Sequence, residues 1–422
     1  MRAKHAVFAA IVSSIIGFPL MAQAADPLPR AKPEAVGMSS ERLALIGKAV
    51  NAEIARGQLP GAVLAIARRG KLVYFETFGF RDKVAGVPMD ADTIFNIASM
   101  TKPMTAVAAL QLYEQGKLLM DEPVAKYFPK IGDMRVAVMD EKQQKILDTV
   151  PVTRKMTVQD LFRHTSGLGY GNRGNTAVHA LYPSGSGPAS DTMTGAEFIA
   201  KLGSLPLLHQ PGAEWNYGFG LDVLGLIVEQ ISEQSLGHYM QDNILKPLGM
   251  VDTHFVVPAD KASRYAKPLP NDPETGRPVT IRPNLQPRKF ECGGGCLAST
   301  VNDYMRFASM LVDRGTYDGI RILGRKTAEY MTSDQLPNRL RLTNTGPRDY
   351  GFGLGVAVRT MPGVSPWQGS VGDFTWGGAQ GTNWWGDPKE ELAVVWMGYS
   401  PGPQRIKYRS MINTLVYQAL VD

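Results

Sequence analysis

Cysteine is almost missing from this chain: two residues, Cys292 and Cys296, in 422. So few exclude a fold held by a disulfide framework, and without further ligands of suitable spacing they exclude a thiolate zinc site. Only Gly293, Gly294 and Gly295 separate the pair. In an oxidising compartment it can close a small ring around these glycines, provided the backbone geometry allows; otherwise two thiols remain. Histidine is also scarce: among the six there is no His-Glu-x-x-His, and His179, His209, His238 and His254 show no metal-type grouping. Charge of one sign is lacking too. The 45 Lys and Arg against 39 Asp and Glu are too even, and too dispersed, for a nucleic-acid partner. Beyond residue 24 no run is long and apolar enough to span a bilayer.

The first 24 residues do have a pattern. Arg2 and Lys4, an apolar run over residues 6–20 and Ala22-Gln23-Ala24 before Ala25 read as a secretory signal with its cleavage site. The run is short and broken by Gly17 and Pro19, so cleavage is expected rather than anchoring. The expected product is exported, periplasmic in a double-membraned bacterium, and without a membrane anchor. With 44% hydrophobic and 20% charged residues, the chain can bury a core for one large domain or two interlocked ones.

The central stretch is Phe95-Asn96-Ile97-Ala98-Ser99-Met100-Thr101-Lys102-Pro103, where a strand-like run gives way to a helical pattern. Met104, Val107, Ala108, Leu110, Gln111 and Leu112 continue at helical spacing. Ser99 and Lys102 are thereby one turn apart on one face of the helix start. Unpaired N–H groups there favour negative charge on an attacking alkoxide or on an oxyanion. A serine hydroxyl needs a base, and a lysine in a partly dry site can sit neutral and accept the proton. A chain of this composition holds about one Ser-x-x-Lys by chance, so the bland alternative is an N-cap serine beside a solvated lysine.

The remaining elements give a frame. Apolar, β-branched and aromatic residues over 61–69 and 71–79 lie on either side of Arg68-Arg69-Gly70-Lys71, which reads as a hairpin, preceded by an amphipathic segment over 40–56. A short helix capped by Thr157 is expected to stop at Gly167, helices are expected over 221–230, 235–245 and 299–313, and 169–191 reads as one long loop. Residues 258–288 show no period. Short β patterns follow at 350–358, 375–377, 381–385 and 392–397, then a helix over 404–420. The expected fold is α+β: an antiparallel sheet assembled from both chain ends (25–95 and 296–422), flanked by helices, with a mostly helical lobe (96–295) inserted and a cleft between the two.

Taken together, these pieces resemble the serine β-lactamase and penicillin-binding-protein superfamily in its class C-like branch, and within it the family VIII carboxylesterases. The resemblance rests on Ser99-Met100-Thr101-Lys102, residues 161–168 around His164, Tyr217-Gly218-Phe219 with Asp222-Val223-Leu224-Gly225, Gly293-Gly294-Gly295 leading to Ser299-Thr300 and Asp303-Tyr304, and Trp376-Gly377-Gly378. It implies a β-lactamase/transpeptidase-like fold and roles for several residues. Ser99 is acylated, Lys102 takes its proton, and Tyr217 shuttles protons between serine, leaving group and water. The backbone N–H groups of Ser99 and Ala379 form an oxyanion hole, and Gly377 and Gly378 let a strand edge approach the substrate.

Two departures narrow the implied substrate. Phe219 stands where lactamases place an Asn, and Trp376-Gly377-Gly378 stands for Lys-Thr-Gly, so two polar anchors for lactams and peptidoglycan are gone. Trp376, Trp384, Trp385, Tyr170 and Phe219 become candidates for an apolar acyl or alcohol pocket, some of them core aromatics instead. His164 with Asp160 suggests a Ser-His-Asp arrangement, yet the chain has no Gly-x-Ser-x-Gly elbow and the resemblance makes this histidine scaffold. The expected activity is cleavage of small carboxylic esters through an acyl-serine, with no cofactor or metal and a small-molecule ester as the only partner implied. The rivals are a β-lactamase, D,D-peptidase or acyltransferase on the same three residues, and a non-catalytic cell-wall binding protein.

Overall fold

The computed structural model describes residues 26–337, 340 and 349–422. The expected signal segment, 1–24, lies outside the described residues.

Eight strands form the main sheet: β1 (Gly61–Arg68), β2 (Lys71–Asp82), β3 (Val87–Pro88), β4 (Tyr350–Phe352), β5 (Ala357–Arg359), β6 (Phe374–Gly377), β7 (Asn383–Asp387) and β8 (Leu392–Gly398). Their order is β4-β5-β6-β7-β8-β1-β2-β3 and every pairing is antiparallel. The two chain ends thus meet where β1 lies against β8. At the β1–β2 turn Arg69 and Gly70 both take positive φ, 51° and 68°, the two-residue geometry that matches the strands' own twist.

β1 is buried along its whole length because both faces of the sheet are covered. Period-two alternation divides its side chains between two cores. Leu64 and Ile66 join Trp385 and Trp396 on the face covered by α1 (Ser40–Ala55) and the C-terminal helix Gln404–Tyr417, which contribute Ile46, Val50, Tyr408 and Ile412. Val63 and Ala65 point the other way, into the larger core shared with Trp384 and the helices of the middle of the chain. Those include α2 (Thr101–Glu114), α3 (Gly220–Ser232) and α4 (Val301–Val312). Residues 101–110 of α2 are buried on every side, which makes it the central helix rather than a surface one.

Three expected elements differ. The Thr157-capped helix spans only Val158–Phe162, because Asp160 is bonded by Arg154, Arg163 and Thr165 and the chain turns at His164 with φ 57°. Residues 169–191 are not all loop: a 3-10 turn (His179–Leu181) and a helix (Ser186–Thr192) form there, the latter tied down by Arg288 on Asp191 and by Lys289 N–H on the Ser190 carbonyl. The helix Leu236–Met240 continues as one π turn, Gln241–Leu245. Each depends on tertiary partners that local propensity does not encode.

Candidate active site

Ser99 lies in a 3-10 turn, Ala98–Met100, directly ahead of α2. The turn is gripped from both sides: Ile97 N–H donates to the Leu297 carbonyl at 3.0 Å, Thr101 Oγ1 accepts from Leu297 N–H at 3.1 Å, and the Tyr304 hydroxyl donates to the Met100 carbonyl at 2.8 Å. Ala98 is held at φ 45°, a left-handed conformation that costs an ordinary residue about 1–2 kcal/mol and persists only where its surroundings impose it. Such a bend presents the Ser99 side chain to the cleft.

Two side chains converge on Ser99 Oγ. The Tyr217 hydroxyl donates to it at 2.7 Å, and Lys102 Nζ stands at 3.5 Å. Lys102 is buried, its Nζ 4.6 Å from the centre of the Tyr217 ring and within 3.3 Å of the Tyr170 hydroxyl. It also donates to the Gly294 carbonyl at 2.5 Å. Tyr217 is wedged among the rings of His164, Tyr170, Trp215 and Trp376. Gly218 after it leaves no room for a Cβ, which would strike the Leu168 carbonyl.

Sequence reasoning missed the layer behind Lys102. Fully buried Asp222, on the first turn of α3, accepts from the Tyr170 hydroxyl at 3.0 Å, from Ser186 Oγ at 2.9 Å and from Gly294 N–H at 3.0 Å. Burial raises the Asp222 carboxyl above its usual range, opposed by the charge of Lys102. Burial also raises the Tyr170 phenol, and the Asp222 charge adds to it. Gly294 is thus held from both ends, its N–H on Asp222 and its carbonyl under Lys102. The ring that carries it is closed by a Cys292–Cys296 disulfide, with Cα atoms 5.4 Å apart. The signal available in the sequence was the Asp five positions after Tyr217, quoted as part of a motif but without a task.

Across the cleft, β6 ends at Gly377 and Gly378. A Cβ on Gly378 would meet the Ile97 carbonyl at 2.6 Å, and one on Gly377 would meet the Arg409 guanidinium, so these glycines let the strand end close on the Ser99 turn. Arg409 in turn donates to the carbonyls of Gly378 and Thr382. Ala379 follows on the cleft wall, and its N–H has no hydrogen-bond acceptor among the described residues.

The cleft holding Ser99, Lys102, Tyr217, Tyr170 and Ala379 has a volume of about 1070 Å³ including its open mouth. Its other walls mix Asn96, Asn172, the guanidiniums of Arg173, Arg282 and Arg288 and the carboxylate of Asp191 with apolar Pro188 and Ile281. The aromatics expected there lie elsewhere. Phe219, at the start of α3, is fully buried against Tyr170 and Phe198. Trp384 packs on Tyr304 and Phe374 in the larger core, and Trp385, one pleat on, faces the opposite core. Trp376 and Gly377 line a separate hollow beside the C-terminal helix, and Gly378 faces the Ser99 turn. Of the five aromatic candidates, only Tyr170 lines the cleft.

His164 supports Tyr217 from below: its ring centre is 4.7 Å from the tyrosine's, and its Nδ1 accepts from Gly218 N–H at 3.4 Å. Burial, aided by the Lys102 charge, holds this imidazole well below its usual range, so it stays neutral. No group of three His, Cys, Asp or Glu able to hold a metal ion occurs among the described residues.

A sheet joined from both chain ends, with a helix-start serine beside the end of β6, belongs to the β-lactamase/transpeptidase class of folds. The model of the family described as Beta-lactamase matches residues 46–415, and the chain belongs to that family. Protein Rv1367c of Mycobacterium tuberculosis is 37% identical over 353 residues, covering 81% of this chain and 86% of its own. Esterase EstB of Burkholderia gladioli is 29% identical over 357 residues, covering 80% and 85%. Among solved structures, EstCE1, described as a hydrolase with promiscuous acyltransferase activity, superposes with a TM-score of 0.75 at 24% identity, covering 89% of this chain and 99% of its own. The family and fold expected from the motifs are the ones found.

Proposed function

We propose that the protein is an exported serine carboxylesterase acting through an acyl-Ser99 intermediate. The observation that carries the reading is the convergence of Tyr217 and Lys102 on Ser99 Oγ, at 2.7 and 3.5 Å. Ser99 Oγ attacks the ester carbonyl, Lys102 takes its proton, and Tyr217 relays it to the leaving alkoxide as the carbonyl–oxygen bond breaks. The N–H groups of Ser99 and Ala379 receive the developing oxyanion. Water, activated by the same pair, then attacks the acyl carbon and frees Ser99. An alcohol entering the open cleft in place of water makes the same step an acyl transfer.

Esters are favoured over lactams by the loss of the two polar anchors: Phe219 is buried in the core and Trp376 stands where the third motif carries its cation. The similarity to Esterase EstB supports the same choice. Export is supported by the leader pattern of residues 1–24 and by the disulfide, a bond that persists in oxidising compartments. Hydrolysis of 4-nitrophenyl acetate and butyrate, compared with nitrocefin, tests the activity; lactam turnover outpacing ester turnover moves the assignment to a lactamase. A mature N-terminus at Ala25 tests export.

A further inference from the structure

Three guanidiniums face the Ser99 cleft and one carboxylate answers them. Arg282 and Arg288 share Asp191. Arg173, from a different loop, has its guanidinium carbon 5.5 Å from the centre of the Tyr217 ring and meets no carboxylate among the described residues. Arg405, at the start of the C-terminal helix, also has no acidic partner among them; burial and then the charge of Arg173 lower its hold on its proton.

Solvated arginines are common on protein surfaces and most recognise nothing. These differ in place. Positive charges of one sign around a concave site concentrate anions there, and a guanidinium's fixed fork suits a carboxylate. Arg173 is exposed, so its donors are free to meet a ligand, and it lies against the tyrosine that touches the nucleophile. We propose, resting on the esterase reading of this site, that the preferred ester carries a free carboxylate, bound by Arg173 and drawn in by the field of Arg282 and Arg288.

The test uses the full mature chain and matched ester pairs. Mono(4-nitrophenyl) glutarate against 4-nitrophenyl butyrate places the carboxylate on the acyl side; 3-(butyryloxy)benzoate against phenyl butyrate places it on the alcohol side. Each kcat/KM is normalised to the ester's rate with hydroxide. One charged ester is expected to exceed its neutral partner about tenfold or more at low salt. That preference shrinks as salt screens the cleft and inverts in Arg173→Glu. Neutral esters preferred in both pairs, or a ratio unmoved by Arg173→Glu, overturns the proposal. Turnover of neutral esters that requires Ser99 upholds the esterase reading whichever way the ratio falls, whereas folded protein that cleaves no ester overturns both.

Discussion

The Tyr217 hydroxyl donates to Ser99 Oγ at 2.7 Å, joining a loop ahead of one buried helix to the turn that opens another. Neither residue is reactive alone at neutral pH; the contact gives the serine a proton path.

Removing that path separates chemistry from folding. Tyr217→Phe keeps the ring among His164, Trp215 and Trp376 and loses one hydrogen bond, worth about 1 kcal/mol of stability. The expected fall in kcat is far larger, about 10²–10⁴-fold. Steady-state kinetics with a neutral ester, alongside thermal melts, check this; a fall under threefold contradicts the relay.

The approach of β6 to the Ser99 turn depends on Gly378. In Gly378→Ala the new methyl meets the Ile97 carbonyl, a backbone atom that cannot swing aside. The expected cost is about 1–3 kcal/mol of stability, with kcat lowered about 100-fold as the oxyanion donors separate. Gly377→Ala meets a side chain, Arg409, and should be milder.

Reduction should slow the enzyme. The Cys292–Cys296 ring holds Gly294 between Asp222 and Lys102, so freeing both thiols loosens the lysine's seat. A fall in kcat of about tenfold or more is expected with dithiothreitol, and none further in Cys292→Ser/Cys296→Ser. Full activity with both thiols shown free by alkylation and mass contradicts the arrangement.

Stability should carry a signature of Asp303. Its carboxylate accepts from Asp252 N–H at 2.7 Å and Thr253 Oγ1 at 2.8 Å, yet burial pushes its pKa up to about 7. Unfolded, the group titrates near about 3.9. Between those values the folded state binds more protons, so this contribution is present at low pH and lost as pH rises toward 7, by up to about 4 kcal/mol. Unfolding free energies of wild type and Asp303→Asn from pH 4 to about 8 give the contribution of this carboxyl as their difference; a difference that does not change over that range contradicts the assignment.

The backbone order of the fold was legible because its signals are local: the Arg69-Gly70 turn between β patterns, the helical spacing after Ser99, the short strands past Tyr350. Ser99, Lys102 and Tyr217 were legible because each stands in a short motif. The pocket was not. Phe219, Trp384 and Trp385 share an aromatic character that suits a pocket or a core equally, and only the path of α3 and the pleat of β7 decide which way each ring points. Arg173, Arg282 and Arg288 escaped notice for the converse reason, coming from segments without period whose course is set by tertiary contacts such as Arg288 on Asp191. Asp222 looked like one more polar residue on a helix until its partners, Tyr170 and Ser186, were brought to it from 52 and 36 positions away.

The central claim is a covalent acyl group on one oxygen. Tyr217→Phe protein, mixed with 4-nitrophenyl butyrate, quenched in acid and digested, should carry a single butyryl group on the peptide containing Ser99, and Ser99→Ala protein none. Butyryl on another residue at full stoichiometry, or ester turnover undiminished in Ser99→Ala, contradicts the account.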